Sequence, residues 1–194
     1  MDELARKKWN SIYSESNIGG QSVSIVLQDN GHLLPSQGRA LDLACGTGSD
    51  SIFMAQQGLS VDAWDISDAV TEKISAYAKQ KNLNIVGEAR DINIQPPAPN
   101  TYDVVSVAHF LERDLMPILT QSLKPGGLIF YQTFTKIVTP TYSGPGNPAF
   151  RLDENELLDL FSDLTLVVYR EEGLLGDIGK GFRNEAMIVA QKKE

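Results

Sequence analysis

The sequence holds one cysteine, Cys45, and two histidines, His32 and His109, in 194 residues. A single thiol cannot close an internal disulfide, and so few soft ligands leave no cysteine-built metal site. No metal is expected. No apolar run approaches the roughly 20 residues that span a bilayer, and the opening "MDELARKKWNSIY" lacks the apolar core of a signal peptide. A soluble, cytoplasmic chain with no membrane partner is therefore the expectation. Basic residues are scarce as well, 17 Lys and Arg against 25 Asp and Glu, for a formal charge of −8. With no basic stripe to track phosphates, nucleic acid is not an expected partner. Repeats, low-complexity tracts and dividing linkers are also missing, and an apolar content of 42% is enough for one sizeable core. A single domain follows.

What the chain does have is an alternation of short apolar runs with helical patterns. Runs of strand length occur at 39–44, 60–66, 83–88, 102–110 and 127–134, with room for helices between them. That order implies parallel strands joined by helical crossovers. "SDSIFMAQQG" puts Ile52, Phe53 and Ala55 on one helical side and stops at Gly58. "SDAVTEKISAYAKQKN" begins with Ser67 or Asp68 as its N-cap and repeats Val70, Ile74 and Tyr77 at helical spacing. "LERDLMPILTQSLKPGG" reads as a helix with Pro117 inside it or at its start, closed by Pro125-Gly126-Gly127. Residues 135–151 carry three prolines and form a loop over the sheet edge, the expected lid. A short helix with Asp153 near its start follows, and residues 152–194 end in two strands with no helix between them, an antiparallel hairpin. The expected fold is α/β: a mostly parallel seven-stranded sheet flanked by helices, with a C-terminal antiparallel hairpin.

The stretch "ALDLACGTGSDS" lies where the first strand meets the first helix, the place where doubly wound sheets bind ligands. Gly46 and Gly48 carry no Cβ, so backbone N–H groups there can approach a ligand beside the positive end of the helix. A dinucleotide turn carries a third glycine where this chain has Ser51, and a Walker A loop needs a Gly-Lys-Ser or Gly-Lys-Thr that is missing. Asp42, just before the turn, repels a pyrophosphate and welcomes a cation. A cationic ligand suits the turn better than a phosphate.

"LDLACGTG" resembles the first motif of class I S-adenosylmethionine-dependent methyltransferases, with Ala44 in place of its first glycine. The resemblance continues at Asp65 in "VDAWDIS", at "ARDI" with Asp91 and Ile92, at "YDVVSVAHFLE" and at "LKPGGLIFYQTF", so that it spans 38–134 in the family's order. With "WNSIY" and "NPAFRLDENELLDLF" the chain looks most like the small tellurite-resistance-type methyltransferases. The resemblance implies a Rossmann-like methyltransferase fold and S-adenosyl-L-methionine as cofactor, leaving S-adenosyl-L-homocysteine as product. By it, Asp42, Ala44, Cys45, Gly46 and Gly48 seat the amino-acid end, Asp65 and Ile66 the ribose, and Asp91 and Ile92 the adenine, while Ala108 ends the fourth strand beside the cofactor. It also implies that the N-terminal segment, 1–37, folds over the cofactor with Trp9 and Tyr13.

Each of these residues has a plainer reading. Asp65 can cap a helix and Asp91 can start a turn. Cys45, without a basic neighbour, suits a small filler better than a nucleophile. Trp9 and Tyr13, at i and i+4, pack as a core pair as readily as they cover a ligand. His109, at the level of the transferred methyl, is either a general base or a strand-end hydrogen-bonding residue. Arg113 and Arg151 either meet an anionic acceptor or stand as solvated charges. The expected function is methyl transfer to a small-molecule acceptor with donor and acceptor held in line, as a monomer or homodimer. An NAD-dependent oxidoreductase and a non-catalytic cofactor-binding or partner-binding module are the alternatives.

Overall fold

The computed structural model describes residues 2–140, 142 and 144–194. A seven-stranded sheet runs in the order β3-β2-β1-β4-β5-β7-β6. Its strands are β1 (Gly38–Leu43), β2 (Leu59–Asp65), β3 (Ile85–Ala89), β4 (Tyr102–Ala108), β5 (Leu123–Phe134), β6 (Thr165–Arg170) and β7 (Glu185–Gln191). β1 to β5 pair in parallel, and β7 is antiparallel to both neighbours, so the closing hairpin inserts its second strand between β5 and β6. The β6–β7 connection is held by Arg183, whose guanidinium donates to the carbonyls of Glu172, Gly173, Leu175, Asp177 and Lys180.

Alternation along the strands divides the core between the two sheet faces. On one face Leu41, Leu43, Val105, Val107, Ile129 and Tyr131 pack under α5 (Met116–Ser122) and α6 (Glu156–Leu160). On the other, Ala40, Val61, Ala63, Val104, Phe130 and Val189 pack under α2 (Ile25–Asn30), α3 (Ser49–Gln56) and α4 (Asp68–Lys81). α1 (Glu3–Tyr13) buries no residue and lies on the outside of α4. No helix among the described residues is long and apolar enough to cross a membrane.

α4 has the expected start, the Ser67 side chain accepting the Val70 N–H, and Asn82 closes the helix in the left-handed region. Three boundaries differ from expectation. β4 stops at Ala108, because His109 turns to φ +57°. α5 stops at Ser122 rather than running to the Pro-Gly-Gly stop. Lys124, held extended by the following Pro125, and the buried Leu123 join β5 instead, opposite Tyr102. Pro117 sits at the start of α5, where its missing N–H costs nothing. In α3 the buried residues are Asp50, Ser51 and Met54, with Ile52, Phe53 and Ala55 only partly covered. The polar side of that helix turns inward because it faces the acidic end of β1.

Residues 135–151 form the expected loop, pinned at Thr135–Leu152 by an isolated bridge and carrying a single turn at Pro148–Phe150. Thr141 and Ser143 of that loop lie outside the described residues.

Candidate functional site

The site is built on the turn after β1. Gly46 and Gly48 have φ of +49° and +75°, and a Cβ on them would lie 3.1 Å from the Tyr13 hydroxyl and from Ile74, respectively. Both glycines are required by conformation and by space together. Ala44, where the resembling family has its first glycine, also has a positive φ, +54°. The exchange is therefore not free; a left-handed alanine costs about 1 kcal/mol.

Three carboxylates converge on this turn. Asp65 ends β2 and accepts the N–H groups of Gly46 and Ser67, each at 3.0 Å. The cap of α4 is Ser67, not Asp65; Asp65 braces the glycine turn and holds the backbone of the capping residue. Asp42 accepts the Ser51 hydroxyl, and Asp50 accepts the Ser24 N–H at 2.8 Å. All three are buried, and among the described residues each is met by hydroxyl or backbone N–H groups, without a Lys or Arg ion pair. Burial, reinforced by the charge of Asp50, pushes the Asp42 carboxyl well above the usual range. Burial raises Asp50 and Asp65 as well, against hydrogen bonds that favour their charged forms. The buried Thr47 hydroxyl in the same turn has no hydrogen-bond partner among the described residues. The Cys45 thiol is pushed up by burial and then by Asp42 and Asp65, which keeps it protonated and unreactive.

Asp91 accepts N–H groups from Asn93 and, across the chain, from Asp2 at 3.0 Å. It thus starts a turn and also anchors the N-terminus of α1. Ile92 is buried in the cluster that contains Trp64, and Ile66 follows Asp65 half-buried. α1 then crosses the mouth of the site. Arg6 and Asn10 bond Asp68, Ser67 donates to Asn10, and Lys73 donates to the carbonyls of Tyr13, Ser14 and Ser16. Trp9 and Tyr13 stack with centroids 5.5 Å apart, which brings Tyr13 over Gly46. Farther on, Gly19 donates to the Thr47 carbonyl and Ser49 to that of Gln21. The pair packs on itself, and Tyr13 covers the turn while Trp9 stays exposed.

On the other side of the turn, Ala108 ends β4 and His109 stacks on Phe134 at 4.7 Å. His109 Nε2 lies 3.0 Å from Glu185. Burial opposes its charge, but the bond to Glu185, the field of Glu185 and that of Asp50 outweigh burial and raise its pKa above the ordinary imidazole value. Arg113 spends its donors on Glu156 and on the carbonyls of Ala149 and Arg151. Arg151 lies over the Tyr142 ring at 4.3 Å and donates to the Pro145 carbonyl. Both arginines are thus occupied in shaping the 135–151 loop. His32 lies in the Gly31–Leu33 turn after α2 and contributes none of the contacts described above.

Sequence reasoning brought together Asp42, Gly46, Gly48, Asp65, Asp91 and His109. It passed over Asp50, which reads locally as a first-turn helix acid, and Glu185 and Gln132, whose partners are remote in sequence.

The family model for tellurite resistance protein TehB matches residues 11–189. A probable S-adenosyl-L-methionine-dependent methyltransferase TehB of Haemophilus influenzae is 28% identical over 168 residues, 80% of this chain and 57% of that protein. A ubiquinone biosynthesis O-methyltransferase of Coxiella burnetii is 28% identical over 101 residues, 50% of this chain and 43% of the relative. The chain thus spans about half the length of these curated relatives. The crystal structure of TehB from Haemophilus influenzae superposes with a TM-score of 0.73 at 24% identity, over 95% of this chain and 67% of the other. The shared fold is the Rossmann-like methyltransferase fold.

Proposed function

The chain belongs to the TehB tellurite-resistance family, and from that premise we propose that it is an S-adenosylmethionine-dependent methyltransferase with a small-molecule acceptor. The observation that carries the reading is the ring of buried acids, Asp42, Asp50 and Asp65, around a glycine turn, without a Lys or Arg ion pair among the described residues and with only the field of His109 reaching Asp50. Uncompensated buried carboxylates are costly, and a ligand bearing positive charge offsets that cost. S-adenosylmethionine supplies a methyl group already activated on a sulfonium, together with an ammonium at its amino-acid end.

The residues present fit such a group. Asp65 accepts Gly46 on one oxygen and Ser67 on the other, and a carboxylate has acceptor capacity beyond these for ribose hydroxyls. The orphaned Thr47 hydroxyl and the bare Gly46 and Gly48 give polar and backbone groups to the amino-acid end, with Ala44 and Cys45 as small spacers. Asp91 receives the adenine amino group with Ile92 beside the ring, Ile66 stands with Asp65 at the ribose, and Trp9 and Tyr13 shut out water from α1. Ala108 keeps the methyl-facing end of β4 narrow. The protein's contribution is chiefly alignment, since holding two reactants in line supplies much of the acceleration in such a transfer.

Incubation with methyl-labelled S-adenosylmethionine and sodium tellurite, 2-mercaptoethanol, catechol or benzylamine tests the reading. Label is expected in at least one acceptor with equal release of S-adenosylhomocysteine. Binding without transfer to any of them supports the non-catalytic module instead.

A further inference from the structure

Glu185, the first residue of β7, lies 76 positions from His109 and meets its ring across the end of the sheet. The hydrogen bonds around this pair leave one assignment. The Val26 N–H can only donate, and at 2.8 Å it fixes the Gln132 side-chain oxygen as its acceptor. The Gln132 amide nitrogen therefore faces Glu185 and donates to Oε2 at 2.6 Å. That same oxygen lies 3.0 Å from His109 Nε2, and a carboxylate can only accept, so Nε2 carries the hydrogen. Gln132 is buried at 2% exposed, whereas the His109 side chain is 45% exposed and can exchange protons with solvent.

We propose that Glu185 is a positioning residue: it holds His109 with Nδ1 free to take the proton of an acceptor bearing an ionisable S–H, O–H or N–H. The inference rests on the methyltransferase reading above. The acceptor's proton passes to Nδ1 and the bonding pair stays on the acceptor atom, which becomes the nucleophile. The imidazolium rests against the Glu185 carboxylate until its proton leaves to water. The left-handed turn at His109 and its stack on Phe134 fix the ring plane. Glu185 also borders a cavity of about 300 Å³ whose other side chains are Ile25, Thr139, Ile178, Lys180, Phe182, Arg183 and Asn184. The ionisable groups around the ring are Glu185 from β7, Asp50 from α3 and, beyond Phe134, Tyr142 with Arg151 from the loop.

The chain has only two histidines, so ring-proton NMR titration follows both at once. Glu185→Gln is expected to lower the His109 pKa and leave His32 unmoved. In methyl transfer to 2-mercaptoethanol, catechol or benzylamine, E185Q is expected to lose about tenfold in kcat. Its acid limb shifts to lower pH and its KM for S-adenosylmethionine is unchanged. His109→Asn loses at least as much, and adding E185Q to it costs nothing further. Should E185Q lose its S-adenosylhomocysteine binding heat, Glu185→Asp carries the same test, since its shorter side chain withdraws the carboxylate from Nε2. An unmoved His109 pKa, an activity loss without a shifted limb, or no transfer to any of the three acceptors overturns the proposal. Absent cofactor binding by the wild type counts against the methyltransferase reading instead, and the NMR titration still decides whether Glu185 controls His109.

Discussion

At Ala44 a methyl group sits in a backbone conformation that suits glycine, with φ +54°. Ala44→Gly is expected to stabilise the chain slightly, by up to about 0.5 kcal/mol, read as a higher melting temperature, because relief of left-handed strain exceeds the added unfolded-state entropy. Asp42 shows the opposite trade between stability and ligand. Its carboxyl is raised by burial and by Asp50, so the folded state holds its proton more tightly than the unfolded chain does. That contribution to stability is complete below the ordinary carboxylate pKa and is lost as pH rises through the elevated value. Asp42→Asn should therefore melt higher than wild type at pH 7 in the absence of ligand, by about 1 kcal/mol. The gap should close in acid, while the variant's heat of binding S-adenosylhomocysteine falls. An unchanged gap across pH would contradict the buried charge. The glycines, Asp42 and Asp65 were legible in the sequence because turn, strand end and charge lie within one short span. Asp50 and Glu185 were not, because their roles depend on Ser24, Gln132 and His109, which only the fold brings near.

Among the elements, α1 has no buried residue of its own and is held to the body by side chains reaching α4. Asp68 is one such tie, beside Lys73; its hydrogen bonds to Arg6 and then Asn10 hold its carboxyl down at about 2. Asp68→Ala is expected to speed amide hydrogen exchange over residues 3–13 and to weaken S-adenosylhomocysteine binding several-fold while leaving the exchange of β1 and β4 unchanged. Equal exchange in mutant and wild type would mean that α1 is held by other contacts. The loop 135–151 invites a similar test. If it closes over the acceptor, protease cleavage between 139 and 148 slows when S-adenosylhomocysteine and an acceptor are present, and unchanged cleavage removes the lid role. Helix and strand identities could be read from periodicity and caps, as at Ser67 of α4. The start of β5 could not, because Leu123 and Lys124 follow a helical pattern and become a strand only by pairing with β4.

Across the whole molecule, the alternation of apolar runs with helical patterns was enough to indicate a mostly parallel sheet, since crossovers of that length join parallel strands. The insertion of β7 between β5 and β6 was not legible. Strand order depends on which edges meet, and nothing local to "EAMIVAQ" names its partners. What the assembled sheet does is bring the ends of β1, β2 and β4 together, so that acids from two of them and the glycine turn form one acidic seat beside His109. The central claim is that this seat takes S-adenosylmethionine. Calorimetric titration of the wild-type chain with S-adenosylhomocysteine and, separately, with NADH tests it most directly. The account predicts saturable heat at one equivalent of S-adenosylhomocysteine, reduced in Asp65→Asn, and none from NADH; saturable binding of NADH with no heat from S-adenosylhomocysteine would contradict it.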